Sequence, residues 1–212
     1  MRNAYNPKKR NTGERKRKRI FLISVEGSNK TEKNYFNDFT DKNTRIIFAP
    51  GNATDPISIA NSLVEEYEKK GLTKEQGDRA FCIVDGDVSK KQEEQILKAD
   101  KIVKAIKGQV IVSNPCIEVW FLCHYVDSTR QYTSGSEVIK RLQQYIPGYE
   151  KNMKGIKKLL DVGVRTAVTR AKKLEEYNNN NGRKIHRYDY QPSTEVYKVV
   201  EELINRSEVY IR

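Results

Sequence analysis

The sequence predicts an α/β fold: a central parallel sheet flanked by helices, joined to a mostly helical and basic C-terminal half. Three features of the 212-residue chain point there. Short apolar runs at residues 20–25, 45–49, 79–84 and 109–113 have the length and composition of buried strands. Between them lie stretches of helical period, opened by capping residues and closed by glycine. Beyond about residue 130 the alternation stops and helical patterns continue alone. Strands alternating with helices form a parallel sheet covered on both faces.

Residues 1–19 are polar and basic, with too little apolar surface to fold, and are expected to be a disordered tail. The first strand, from Ile20, runs into Glu26-Gly-Ser-Asn-Lys-Thr31, a tight polar loop. From it Thr31 can cap a helix carrying Tyr35, Phe36 and Phe39. After the second strand, Asp55 and Pro56 supply an N-cap and a first-turn proline. Ile59, Ala60, Leu63, Val64 and Tyr67 then recur at helical spacing, and Gly71 closes that helix. The third strand ends in Asp85-Gly-Asp87 and is followed by a helix from about Lys90 with Ile96, Ala99, Val103 and Ile106 on one face. The fourth strand meets Asn114-Pro115, again a cap-then-proline signal, ahead of a helix through Trp120.

In the second half, residues 136–145 and 164–177 read as amphipathic helices, and Ser193 or Thr194 starts a last helix with Val196, Val199, Val200 and Leu203. The chain thus divides into a tail (residues 1–19), an α/β core (20–130) and a helical region packed on that core (131–212).

The net charge of +12 is unevenly spread. Residues 1–19 hold nine Lys or Arg against one Glu, and residues 140–190 thirteen against five acids. What remains is slightly acidic. A basic tail and a basic second half favour a polyanionic partner, RNA or DNA, although solvated lysines are common on any helix. No run of 18 apolar residues exists, and the first ten residues lack a secretory apolar stretch, so no membrane span or export is expected. Cys82, Cys116 and Cys123 lie in apolar sequence without zinc-type spacing, as in a reduced, cytoplasmic protein.

Chemistry concentrates where strands end. Asp85 and Asp87, two apart, point to one side of an extended chain, and Gly86 adds no bulk between them. Taken alone, Asp-Gly-Asp equally suits a strand-to-helix turn. Glu26 follows the first strand, and in a parallel sheet all carboxyl ends share the edge where ligands bind. Three acids on one edge repel unless a cation sits among them, and carboxylates favour Mg²⁺ or Mn²⁺. Asp85 and Asp87 are the expected ligands, with Glu26 completing the shell or moving protons. Glu32, Lys30 and Glu118 lie close to these loops in sequence; an acid in a helix's first turn also satisfies the helix dipole without further purpose.

These pieces resemble a known family. Glu26-Gly-Ser-Asn-Lys-Thr31, Val84-Asp-Gly-Asp87 and the block from Ser113-Asn-Pro-Cys through Glu118 and Trp120 to His124 are similar to the RloB-like family, found beside restriction and antiphage loci. The Glu-Gly and Asp-x-Asp loops also look like the topoisomerase–primase (Toprim) domain. The resemblance implies a Toprim-like, metal-dependent nuclease fold with a role in defence, alongside other proteins of such a locus. It adds Glu118 and His124 to the candidate catalytic residues. Lys151, Lys154, Lys157, Lys158 and Arg165, interleaved with Tyr145, Tyr149 and Tyr177, are candidates to track a phosphate backbone and stack bases. The alternative is a nucleic-acid-binding or regulatory subunit that does not cut.

Overall fold

The computed structural model describes residues 17–27 and 30–208, with side chains to residue 204. Five strands form one sheet: β1 (Arg19–Ser24), β2 (Thr44–Phe48), β3 (Arg79–Asp85), β4 (Gln109–Asn114) and β5 (Ser193–Thr194), in the order β2-β1-β3-β4-β5. The first four are parallel; β5 runs antiparallel to β4. Helices α1 (Thr31–Asn37), α2 (Pro56–Lys69) and α3 (Lys90–Val103) connect the parallel strands. The remaining helices are α4 (Glu118–Cys123), α5 (Gly135–Leu142), α6 (Ile156–Leu160), α7 (Val164–Asn180) and α8 (Val196–Glu208).

Strand alternation divides the interior in two. Leu22, Cys82, Val84, Val110 and Val112 face α2 and α3, meeting Ile59, Leu63, Ile96 and Val103. Phe21, Ile23, Phe81, Ile83 and Ile111 face the other way, under α1 and α4. The same cluster takes in Leu142, Tyr149, Leu160, Leu174, Val199 and Val200. Each fully buried side chain of this size contributes roughly 1.5–3 kcal/mol, so the second half is bound to the sheet by the common core.

The expected helix signals act as read at Asp55, whose Oδ1 accepts from the Ser58 N–H at 2.9 Å, and at Gly71, which closes α2 with φ +58°. Elsewhere the structure differs. Ser193 and Thr194 form a strand instead of starting the last helix, which begins at Val196. The Ser193 hydroxyl donates back to Tyr190 O (2.8 Å), and Thr194 shares a hydroxyl hydrogen bond with Ser113 (2.8 Å). The sheet is therefore mixed at one edge. Asn114 ends β4 and caps no helix; α4 starts at Glu118. No sequence signal announces α6.

Past the short β5, Glu195 takes over. Its backbone N–H donates to Val112 O (2.9 Å), and its carboxylate accepts from the Val112 N–H (3.0 Å) and pairs with His186 Nε2 (2.7 Å). Most of the expected tail lies outside the described residues. Its last part belongs to the fold: Arg17 makes two hydrogen bonds to Asp78 (2.9 and 3.0 Å), and Arg19 opens β1. Among the described residues no helix is long and apolar enough to cross a membrane.

Candidate functional site

From β1 the chain first steps outward to β2, then returns across to β3 and on to β4. The loops leaving β1 and β3 therefore diverge and open a crevice at the carboxyl edge, the place where open α/β sheets hold ligands. Glu26 lies just beyond β1, Asp85 ends β3, and Asp87 follows it. Glu32 stands in the first turn of α1 and Glu118 in the first turn of α4.

Close packing fixes both loops. The Gly27 N–H donates to Ala53 O (2.9 Å), and a Cβ at Gly27 would lie 2.2 Å from the Asn52 Cα. Glycine is required here by the neighbouring backbone. The Asp-Gly-Asp loop is clamped to the segment after β4: Gly86 N–H to Ser113 O (2.8 Å), Asp87 N–H to Pro115 O (3.0 Å), and Val88 N–H to Asn114 Oδ1 (3.1 Å). A Cβ at Gly86 would meet Asn114 Cγ at 2.8 Å. Asp87 and Val88 both have φ +51°, a left-handed conformation that is costly for β-branched valine. Asn114 in turn donates to Tyr188 O (3.0 Å), so the loop at residues 182–192 supports the aspartate loop from behind.

The carboxylates act on one another. Burial, then Glu32, Glu118 and Asp87, push the Asp85 carboxyl well above the usual range, although its Oδ1 accepts the Ile117 N–H at 3.0 Å. Burial and the neighbouring charges of Glu118 and Glu26 raise Glu32, 4% exposed, to about 7. Burial and Asp87 raise Glu26; burial raises Asp87. Opposing all four is the positive charge of Lys151. Glu118 is fully buried; its Oε1 accepts the Tyr149 hydroxyl (2.9 Å), and its Oε2 has no hydrogen-bond partner among the described residues.

Five acids gather around one crevice. Glu32 and Glu118 are buried, Glu26 and Asp85 half-buried and Asp87 exposed, so their mutual repulsion is only partly relieved by solvent and by Lys151. A hard divalent cation fits that set of oxygen donors and the orphaned Glu118 oxygen. The carboxylates surround the crevice and do not close on a point: among the described residues no three His, Cys, Asp or Glu are grouped as a ready metal cage.

The other candidates are placed differently. His124 is 9% exposed, with Nδ1 3.0 Å from Trp120 O, and burial lowers it to about 4. The charges bearing on it are Arg170 and Asp161, away from the acidic crevice. Ser113 shares a hydroxyl hydrogen bond with Thr194. Tyr149 is fully buried and cannot stack a base; Tyr145 stacks on Tyr125 with centroids 5.5 Å apart. Lys157 pairs with Asp161 (2.8 Å) and lies over the Phe39 ring. Lys30, Lys154 and Lys158 are exposed, and Arg165 lines a cleft between α7 and α8. Glu32 and Tyr149 are the residues whose part in the site the sequence understated: an acid at a helix start and a tyrosine in a basic stretch each have an ordinary explanation.

A protein-family model described as RloB-like protein matches residues 21–203. Comparison with curated proteins and with solved structures gives no match.

Proposed function

The chain belongs to the RloB-like family, and on that premise we propose that it is a divalent-metal-dependent endonuclease. It would hydrolyse phosphodiester bonds in nucleic acid, RNA ahead of DNA, in bacterial or archaeal antiphage defence, on a Toprim-like core. The observation that carries the reading is the gathering of Glu26, Glu32, Asp85, Asp87 and Glu118, from four separate loops or helix starts, at one sheet-edge crevice, where their charges act on one another. Clustered acids that raise one another serve structure poorly, and a metal-assisted phosphoryl-transfer site needs them.

Glu26, Asp85 and Asp87 would hold Mg²⁺ or Mn²⁺, with Glu32 and Glu118 beside them. Bound there, such an ion polarises a phosphoryl oxygen and makes water a stronger nucleophile at neutral pH. Glu26 keeps a raised proton affinity and is only partly buried, which suits it to hold or release a proton at the crevice mouth. The clamp on Gly86, Asp87 and Val88 keeps the aspartates in place without loop closure. Lys30, Lys154 and Lys158 are exposed to attract phosphates, and a basic protein of this shape suits looped or folded RNA.

The test incubates purified protein with RNA and DNA panels in Mg²⁺, Mn²⁺ or chelator. Metal-dependent cutting is expected, abolished by Asp85→Ala with Asp87→Ala; the loss should exceed the roughly 10–100-fold typical of removing a supporting partner. Salt-sensitive binding that survives this double substitution, with no cutting in any metal, would instead identify a non-catalytic nucleic-acid-binding subunit.

A further inference from the structure

Residues 149–152 form a turn tied at both ends to elements that carry buried acids. At one end the Tyr149 hydroxyl donates to Glu118 Oε1 (2.9 Å), while Tyr149 O accepts from Gln143 Nε2 (2.9 Å). At the other, the Asn152 N–H donates to Thr31 Oγ1 (2.9 Å), and Asn152 Oδ1 accepts the Lys30 N–H (2.8 Å). Asn34 Nδ2 also donates to Asn152 O (2.7 Å). The turn thus bridges the start of α4, with Glu118, and the start of α1, with Glu32. Asn152 takes a left-handed φ of +68° to do so. Lys151 sits between the two anchors.

We propose that Lys151 is a built-in counter-ion of the acidic crevice, balancing its carboxylates when no metal is bound and yielding that role when a divalent cation enters. The lysine thereby sets how tightly the site takes metal. The charges that raise Lys151, against the burial that would lower it, are Glu118, Asp85 and Glu32, and its own charge opposes the rise of Asp85, Glu26 and Asp87. An ammonium and a divalent ion drawn to the same carboxylates repel each other, so occupancy by one weakens the other. A lysine on a long flexible stem can swing outward without disturbing the turn, and Lys151 is exposed. Such a device keeps the acids compatible with folding before metal arrives.

The inference rests on the metal reading above, and the experiment separates the two. Mn²⁺ binding is titrated calorimetrically on the wild-type chain, Lys151→Met, Lys151→Arg and the exposed neighbour control Lys154→Met, and melting is followed in chelator and in Mn²⁺. Lys151→Met is expected to tighten Mn²⁺ by about tenfold or more, and to melt lower than wild type in chelator but not in saturating Mn²⁺. Lys151→Arg and Lys154→Met should stay near wild type. Mn²⁺ bound by wild type and by Lys151→Met with equal affinity overturns the counter-ion role while leaving the metal site intact. No Mn²⁺ binding to any of the proteins overturns the metal reading and this inference with it. If Lys151→Met does not fold, Glu32→Gln is compared with Glu32→Gln/Lys151→Met, where one acid fewer needs balancing; the added lysine substitution must again tighten Mn²⁺, or the proposal falls.

Discussion

Two ends of one strand treat carboxylates in opposite ways. Asp78, immediately before β3, is 1% exposed. It accepts from Arg17 through both oxygens, from the Ile20 N–H (2.9 Å) and from the Thr73 N–H (3.1 Å). Burial pushes its carboxyl up, but Arg17 and the two N–H groups outweigh that and hold it below the usual range. Seven residues on, Asp85 ends the same strand among other acids and is driven upward. The amino end of the sheet satisfies its acid completely; the carboxyl end gathers several acids that raise one another, opposed by Lys151. Carboxylates that build a fold come with partners, whereas those assembled for a ligand wait for one.

The contrast can be broken from either side. The largest effect on folding is expected at the satisfied end. Asp78→Ala leaves two backbone donors without their acceptor and frees the exposed Arg17, and should cost about 2–4 kcal/mol in urea denaturation, with the proposed cleavage unchanged per folded molecule. At the acidic end the sign reverses. Glu32, raised to about 7 from the ordinary glutamate value of 4.5, keeps a proton that the unfolded chain has already released. Between those values the folded state binds more protons, so Glu32 makes stability fall as pH rises through that window. In chelator, Glu32→Gln should gain on wild type as pH goes from about 5 to about 8, by up to about 3 kcal/mol. A gap that stays flat with pH would remove Glu32 from the acids driven upward at the carboxyl end.

The smallest effect concerns the lysines, which divide the same way. Lys157 is engaged by Asp161 and Phe39, whereas Lys154 and Lys158 are exposed. Lys157→Met should change stability by no more than about 1 kcal/mol. Lys154→Met with Lys158→Met should flatten the dependence of RNA affinity on salt, by about 0.7 in log–log slope for each phosphate that is no longer neutralised. Equal slopes for both variants would erase the distinction.

Much of the first half was legible because its signals are local. Runs such as Phe81–Val84 have only one economical use, and Asp55-Pro56 announces a helix start within a few residues. That Glu26, Asp85 and Asp87 would share an edge followed from parallel strand order alone. The strand at Ser193 was hidden because two residues show no alternation, and Ser-Thr ahead of an apolar helix reads equally well as a cap. The roles of Glu32, Glu118, Tyr149 and Lys151 depend on segments far apart in the chain that meet in space, such as Tyr149 with Glu118 and Asn152 with Thr31. No period in the sequence encodes those distances. His124 was misleading for the same reason: spacing places it beside Trp120, but only packing decides which way the pair faces.

Glu195 carries a consequence for how copies of this protein can meet. Its carboxylate occupies the Val112 amide that a further strand would need, beyond a β5 only two residues long. That margin of the sheet offers almost no template for another chain to extend. Strand-to-strand assembly, whether into a dimer or a fibre, is left with the opposite margin at β2, where the exposed Arg45 discourages it. A protein that must fold beside many copies of itself on the ribosome is thereby steered away from sticking to them edge to edge.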